Sequence, residues 1–316
     1  MTNFICVLVF VLGFVLILKG GDMLVGSSVK LAGKAKIPPM IVGATIVSIA
    51  TTFPETTVSL VSSFRGVEEV GINTAIGSIV CNFTIVLGAS FLLMPTKINS
   101  TDFLPKILYF CVCVIVLLVL GLDGKLTWLE GILLLVTLLG FIFLNIKEAK
   151  NDKTDPSQFD VVTTPWHQII IEFLVSAFAI GLGAIVLVNN VDTISEMLGV
   201  KSGIVSFVII AVGTNIPELV TTITSVKLKN PEIGIGNIFG ASIIDCTLLI
   251  AGSVFASRAN FITVSKLLLI ITVPTLLLIT AVITLPILKK NKTFRLQGLA
   301  LILIYIIYTY LVCVKM

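Results

Sequence analysis

At 316 residues, with 57% hydrophobic and 12% charged residues and a mean hydropathy of +1.14, the chain is far too apolar for a soluble domain and reads as a multispanning membrane protein. Its apolar runs approach or exceed about 20 residues, enough for helices across roughly 30 Å of hydrocarbon, which excludes the short alternating strands of a barrel. The formal net charge of +4 does not signal a nucleic-acid partner, because most Lys and Arg fall in short loops, where they report orientation.

Ten spans are predicted, so the expected fold is an all-α membrane protein. The first, residues 4–30, begins almost at Met1 without a basic leader region or a small-residue cleavage site, and is expected to be a span rather than a removable signal. The second, 39–64, carries Thr51-Thr52-Phe53-Pro54-Glu55, and the third, 71–94, carries G-I-N-T-A-I-G-S-I-V-C-N from Gly71 to Asn82. Spans at 104–121 and 126–146 close a first five-helix unit, 1–146. Residues 147–165, which carry Asn, Asp, Lys, Thr and Ser with two prolines, have linker chemistry. The second unit, 166–316, holds spans at 167–190, 203–226, 233–256, 264–288 and 296–313.

The second unit repeats the first at an offset of 163: Thr214-Asn215-Ile216-Pro217-Glu218 answers the first motif, Gly240 answers Gly77, and Asp245 answers Asn82. Alternating the loops puts fourteen positive charges, Lys30, Lys34, Lys36, Lys97, Lys106, Lys147, Lys150, Lys153, Lys227, Lys229, Lys289, Lys290, Lys292 and Arg295, on one side. The other side receives Arg65, Lys125, Lys201, Arg258, Lys266 and Lys315. The crowded side is then cytoplasmic and both termini face outward. Five spans, an odd number, separate the two motifs, so the units are expected to be inverted-topology repeats around a midplane site, the architecture of secondary transport.

Each motif sets a carboxylate directly after a helix-breaking proline, and both are costly in lipid unless they line a cavity or meet an ion. Proline removes an N–H, so carbonyls near Ser48 and Thr51, and near Ala211 and Thr214, are expected to lose their helical partners and become ligands. Glu55 and Glu218 add anionic oxygens; Thr51, Thr52 and Thr214 add hydroxyls, and Asn215 an amide. Asn82 and Asp245, about one turn past Ser78 and Ala241, complete the cage. Hard oxygens of this kind suit Ca²⁺ or Na⁺ and offer nothing soft for zinc or copper. Three carboxylates gathered in low dielectric require cations beside them.

The paired motifs resemble the two signatures of the calcium/cation antiporter superfamily, G-T-S-x-P-E and G-N-x-x-G-S followed by N or D, in its prokaryotic sodium/calcium exchanger-like branch. The resemblance covers all ten spans. It implies that Glu55 and Glu218 bind Ca²⁺, that Thr51, Thr214, Ser78 and the carbonyls of Ser48 and Ala211 line Ca²⁺ or Na⁺ sites, and that Asn82 and Asp245 complete the centre. It also implies that the long first and sixth spans slide across the other eight, and that the transported ions are Ca²⁺ and Na⁺, with no prosthetic group. The chain departs from the pattern at Ala50, Asn73-Thr74, Thr52, Asn215 and Ala241. Ala241 cannot ligate through its side chain, so H⁺ stays open beside Na⁺ as the coupling ion.

Other polar residues read more plainly. Ser59, Ser62, Thr221, Thr222 and Thr224 are expected to be packing groups. Asp22 is expected to pair with Lys19 or to reach the interface, Glu130 and Glu172 to be interfacial, and His167 to be a solvated loop residue. The six cysteines, without metal-ligand spacing, are packing residues. An ion channel would need a symmetric ring from several subunits, whereas opposed internal halves suit a protein that works as a monomer. An intramembrane hydrolase would need a nucleophile that the motifs lack. The expected setting is the plasma membrane of a prokaryote, with membrane lipid as the surrounding partner.

Overall fold

In hydrocarbon a backbone must satisfy its own hydrogen bonds, so the apolar runs fold as helices. The computed structural model of the protein describes residues 2–64, 66, 68–98, 100–151, 162–197, 214–259, 261–264 and 266–315. In chain order these form α1 (Thr2–Ala35), α2 (Pro39–Thr51), α3 (Phe53–Phe64), α4 (Glu68–Leu93), α5 (Ser100–Leu120), β1 (Lys125–Thr127), α6 (Trp128–Asn151) and α7 (Trp166–Met197). They continue as α8 (Ile216–Lys227), α9 (Pro231–Ala256), β2 (Phe261–Thr263), α10 (Lys266–Lys290) and α11 (Arg295–Lys315).

Among the described residues, eight helices are long and apolar enough to cross a membrane: α1, α4, α5, α6, α7, α9, α10 and α11. The two expected spans outside that set are the two that carry the proline motifs. Span 39–64 is divided into α2 and α3 at Thr52. Of span 203–226, the first part lies outside the described residues, and α8 forms the rest.

The eight differ in what surrounds them. In α4 and α9, 78% and 83% of the most apolar window is buried, against 22–33% in the other six, so these two form the centre and the others present apolar faces to lipid. Phe83 of α4 stacks on Phe110 of α5 at 4.5 Å and on Phe239 of α9 at 5.3 Å, and Phe103 of α5 meets Phe239 at 5.2 Å. Each such pair contributes about 0.5–1.5 kcal/mol beyond burial, which fixes the two central helices against α5. On the other flank, α2 lies against α9 with no room for a side chain: a Cβ on Gly240 would stand 2.3 Å from the Ala44 carbonyl and 2.4 Å from Ser48 Oγ.

Two short strand contacts tie the loops. β1 pairs antiparallel with β2, and Lys97 bridges Lys292. Since α5 leads from the Lys97 contact to β1 and α10 leads from β2 to the Lys292 contact, these two helices run antiparallel. The long helices α1 and α7 pack along one another and are joined by Lys30–Glu172 at 2.6 Å; Lys34 also donates to the Thr164 carbonyl and lies over the Trp166 ring.

Lys106, counted above among the loop charges, is instead buried in α5. Its ammonium donates to Asn145 Oδ1 at 2.7 Å and pairs with Glu148, both on α6. A lysine stem this close to a helix end reaches a carboxylate on the neighbouring helix more readily than water. Asp22 accepts from the Thr224 hydroxyl at 3.2 Å, and the Glu172 partner is Lys30. His167 is exposed. Among the described cysteines, Cys81, Cys113 and Cys246 are buried and all are free thiols.

Candidate cation-binding site

Pro54 and Pro217 stand second in α3 and α8. A first-turn N–H has no acceptor within its own helix, so proline costs no hydrogen bond there and its fixed φ suits the helix start. The residues before these helices share one backbone conformation, Thr52 at φ −81°, ψ 1° and Asn215 at φ −87°, ψ 4°. The Thr52 N–H closes α2 on the Ser48 carbonyl at 3.0 Å, and Thr56 N–H opens α3 on the Thr52 carbonyl at 3.0 Å. Leu219 N–H repeats that opening on the Asn215 carbonyl at 3.0 Å. Glu55 and Glu218 therefore fall in equivalent first turns, where the positive end of the helix dipole favours an anion.

The Ser48 carbonyl is not orphaned as expected, because it accepts the Thr52 amide and, at 2.7 Å, the Thr52 hydroxyl. The carbonyl four residues before Pro54, the one that loses its helical donor, is that of Ala50. Ala211, its carbonyl proposed as a ligand, lies outside the described residues.

The central helices supply the other wall. Both widen into a π-turn at equivalent places, Asn82–Val86 in α4 and Asp245–Leu249 in α9. Single π-turns of this kind re-aim side chains and recur at functional positions. Ser48, Thr51, Thr52, Glu55, Ser78, Asn82, Thr214, Asn215, Glu218 and Asp245 are all buried, none more than 2% exposed. Glu55 is within electrostatic reach of Glu218 and Asp245, and Glu218 of Asp245.

Hydrogen bonds join the halves. Ser78 Oγ lies 2.7 Å from Asp245 Oδ2 and 3.0 Å from Asn215 Oδ1. The Thr51 hydroxyl donates to Asn237 Oδ1 at 3.0 Å; it also interacts electrostatically with Glu218, but hydrogen-bond geometry favours Asn237. Asn237 is a site-wall residue that sequence reasoning passed over, although it stands three residues before Gly240 of the repeated motif.

Both carboxylate oxygens of Glu55 and of Glu218, Oδ1 of Asp245 and both polar side-chain atoms of Asn82 are buried without a hydrogen-bond partner among the described residues. Among the described residues, the ion pairs are Lys30–Glu172 and Lys106–Glu148, so no lysine or arginine there neutralises the acidic trio. Desolvating an ion costs several kcal/mol unless an opposite charge offsets it. The geometry thus fits cations, held by mixed oxygen ligands. Among the described residues, no three His, Cys, Asp or Glu side chains converge closely enough to hold a metal by themselves, so hydroxyl, amide and carbonyl oxygens have to share the coordination.

An all-helical membrane protein with an acidic, oxygen-lined centre against its two innermost helices is a polytopic membrane protein of the ion-carrier class. The family model described as sodium/calcium exchanger protein matches residues 5–147 and 169–314, and the chain belongs to that family. It is 30% identical over 249 residues to the inner membrane protein YrbG of Escherichia coli (strain K12), covering 76% of each. It is 27% identical over 322 residues to the putative antiporter CaxA of Alkalimonas amylolytica, covering 96% of this chain and 97% of that one. The solved sodium-calcium exchanger NCX_Mj, soaked with 2.5 mM Na⁺ and 0.1 mM Ca²⁺, superposes with a TM-score of 0.80 at 26% identity over 96% of this chain and 97% of its own. The protein is accordingly a multi-pass membrane antiporter of the cation/Ca²⁺ exchange type, a transporter rather than an enzyme.

Proposed function

We propose that the protein exchanges Ca²⁺ for Na⁺ by alternating access at a carboxylate site near the bilayer midplane, as a monomer. Glu55 and Glu218 hold the divalent ion, Asn82 and Asp245 complete the centre, and Thr51, Thr52, Thr214, Ser78, Asn215 and the carbonyl of Ala211 line the ion positions. The carrying observation is the set of buried carboxylate oxygens, without a hydrogen-bond partner among the described residues, in the equivalent first turns of α3 and α8, each with proline at its second position.

The same reading includes ten spans in two inverted repeats, 1–146 and 166–316, joined by the cytoplasmic linker 147–165, with both termini outside. Several contacts support it. Lys97 with Lys292, Lys34 with Thr164, β1 with β2, and Arg258 over the Phe64 ring each join segments that a ten-span alternation puts on one side. The antiparallel course of α5 and α10, fourth spans of their halves, is what inversion requires. The lengthwise packing of α1 on α7 supports a pair that moves as one body. A Cβ at Gly183 would stand 2.7 Å from the Gly13 carbonyl, so the two backbones touch.

A second reading, proton-coupled exchange in the same fold, is favoured by Ala241 and by the Asn215 amide, both standing where hydroxyls are usual. Purified protein in sealed liposomes tests both. Ca²⁺ uptake driven by an outward Na⁺ gradient at constant pH supports the first, and uptake that needs a pH gradient and ignores Na⁺ supports the second. Uptake under neither gradient refutes exchange at this site.

A further inference from the structure

Residues 246–316 contain no Asp or Glu, and neither do residues 83–101, so both stretches carry positive charge alone. They meet at one corner of the molecule. Lys97 lies between α4 and α5, Lys289 and Lys290 end α10, Lys292 lies in the link to α11, and Arg295 opens α11. All five are exposed, and none belongs to an ion pair among the described residues.

The backbone at this corner is firmly tied. Asn291 takes a left-handed conformation, φ 48°, which asparagine tolerates better than most residues, and its carbonyl accepts the Ile98 N–H at 3.0 Å. Thr293 N–H reaches the Thr96 carbonyl at 2.9 Å, and Thr96 N–H reaches Thr293 Oγ1 at 2.9 Å. Gln297 of α11 donates to the Val282 and Ile283 carbonyls of α10 at 2.9 and 3.0 Å. A Cβ on Gly298 would stand 2.4 Å from the Gly88 carbonyl of α4, so α11 touches α4 as well. Within this frame Lys97 stands opposite Lys292 across the antiparallel bridge. The ammonium groups of Lys290 and Lys292 share the Phe294 ring, 5.5 and 5.1 Å from its centre.

Like charges facing one another across a strand pair repel, and a cation in the first turn of a helix opposes its dipole. Membrane orientation asks only for positive charge somewhere in a loop; it does not ask for lysines pinned face to face. An anion among them resolves both conflicts, and the N–H groups that open α11 favour one there. Next to the cations in sequence stand Leu92 and Leu93 at the end of α4, Leu288 of α10 and Leu296 of α11, which are 36–76% exposed at the ends of membrane-crossing helices. Fixed cations bordered by exposed leucine fit a molecule with an anionic head and apolar chains. We infer that Lys97, Lys290, Lys292 and Arg295 bind the phosphate headgroup of an anionic phospholipid, whose chains lie along these leucines. The site is separate from the carboxylate centre and does not depend on which ions the protein exchanges.

The purified protein in uncharged detergent is titrated with phosphatidylglycerol, with phosphatidylcholine and with glycerol phosphate, and thermal unfolding reports binding. Wild type is expected to gain stability from phosphatidylglycerol and little from the other two. Lys290→Gln with Lys292→Gln should raise the half-saturating phosphatidylglycerol about ten-fold or more, since each cation beside an anionic headgroup contributes roughly five-fold in affinity. Lys290→Arg with Lys292→Arg keeps both charges and should bind as wild type does. Lys125→Gln with Arg258→Gln also removes two exposed cations that lie over rings, those of Phe261 and Phe64. That pair, beyond a screening length, should stay within about two-fold of wild type. The inference is overturned if phosphatidylcholine protects as well as phosphatidylglycerol, or if the two glutamine pairs weaken phosphatidylglycerol alike, which is charge attraction without a site. It is overturned equally if glycerol phosphate alone reproduces the shift, which marks a site for free anions. Should the Lys290 and Lys292 glutamine pair not fold, Lys292→Gln alone carries the same reading: a loss of about five-fold supports the site, and no loss overturns it.

Discussion

Glu55 and Glu218 carry charge into a place where, among the described residues, no lysine or arginine pairs with them and no side-chain hydrogen bond of good geometry reaches their carboxylates, so their folded state is costly until a cation arrives. At free Ca²⁺ about 100 times its dissociation constant, binding stabilises the folded protein by about 2.7 kcal/mol. Replacing Glu218 by Gln removes one charged ligand, worth about 1.5–3 kcal/mol, and leaves a gain of under about 1.5 kcal/mol at the same Ca²⁺. The Ca²⁺-free variant is expected to be the more stable of the two, since an amide costs less to bury than an unpaired carboxylate. Thermal unfolding in detergent, with and without Ca²⁺, reads both effects. A Ca²⁺-induced shift in Glu218→Gln equal to that of wild type would place the ion elsewhere. Glu55→Gln is predicted to behave alike, and in liposomes either variant should lose Ca²⁺ flux by at least 100-fold, about 2.7 kcal/mol.

Much of this site was legible because its chemistry is local: a proline, a carboxylate and their hydroxyl neighbours lie within five residues of one another, twice. What stayed hidden depends on partners distant in the chain. Asn237 meets Thr51 and Ser59 meets Ser253 at 2.7 Å across helices, and Lys106 finds its carboxylate on the next helix, so no spacing rule reveals these pairs. The Ser48 carbonyl was misjudged for a different reason. A proline frees the carbonyl four residues earlier, which is Ala50, and the break at Thr52 lets Ser48 keep its donor.

At the level of elements, hydropathy located the long helices, and the first motif span proved to be divided, at Thr52. The π-turns at Asn82 and Asp245 were not legible, because an extra residue in a turn leaves the apolar pattern almost unchanged. Close packing of α2 on α9 is the feature that holds these turns against the broken helix. Gly240→Ala is therefore predicted to destabilise by about 1–3 kcal/mol, since backbone carbonyl and Ser48 must both shift to admit a methyl. Gly26→Ala on α1 is the control, for a Cβ there meets nothing within 4 Å and alanine favours a helix by about 1 kcal/mol over glycine. Unfolding temperatures of the two variants should move in opposite directions. Equal losses would mean that the α2–α9 contact is looser than its distances imply.

For the whole molecule, the proposed topology turns on opposed halves, because two copies entering from one side would build two separate half-sites rather than one shared centre. Inversion makes a prediction about loops that does not depend on ions. In a cysteine-free background, single cysteines replacing Lys97, Lys227 or Lys289, all exposed, should react with a membrane-impermeant maleimide only after intact cells are opened. Cysteines replacing Lys125 or Arg258, also exposed, should react without opening. The two sets alternate along the chain, and Lys97 is separated from Lys125 by α5 alone, so the pattern has little freedom. Labelling of Lys97→Cys and Lys125→Cys from the same side would deny that α5 crosses. Labelling of Lys227→Cys from outside would put α8 in the same sense as α3 and turn the inverted pair into a parallel one. In that arrangement the first turns that present Glu55 and Glu218 would point the same way, and the centre would lose the two-fold relation on which opening to either face depends.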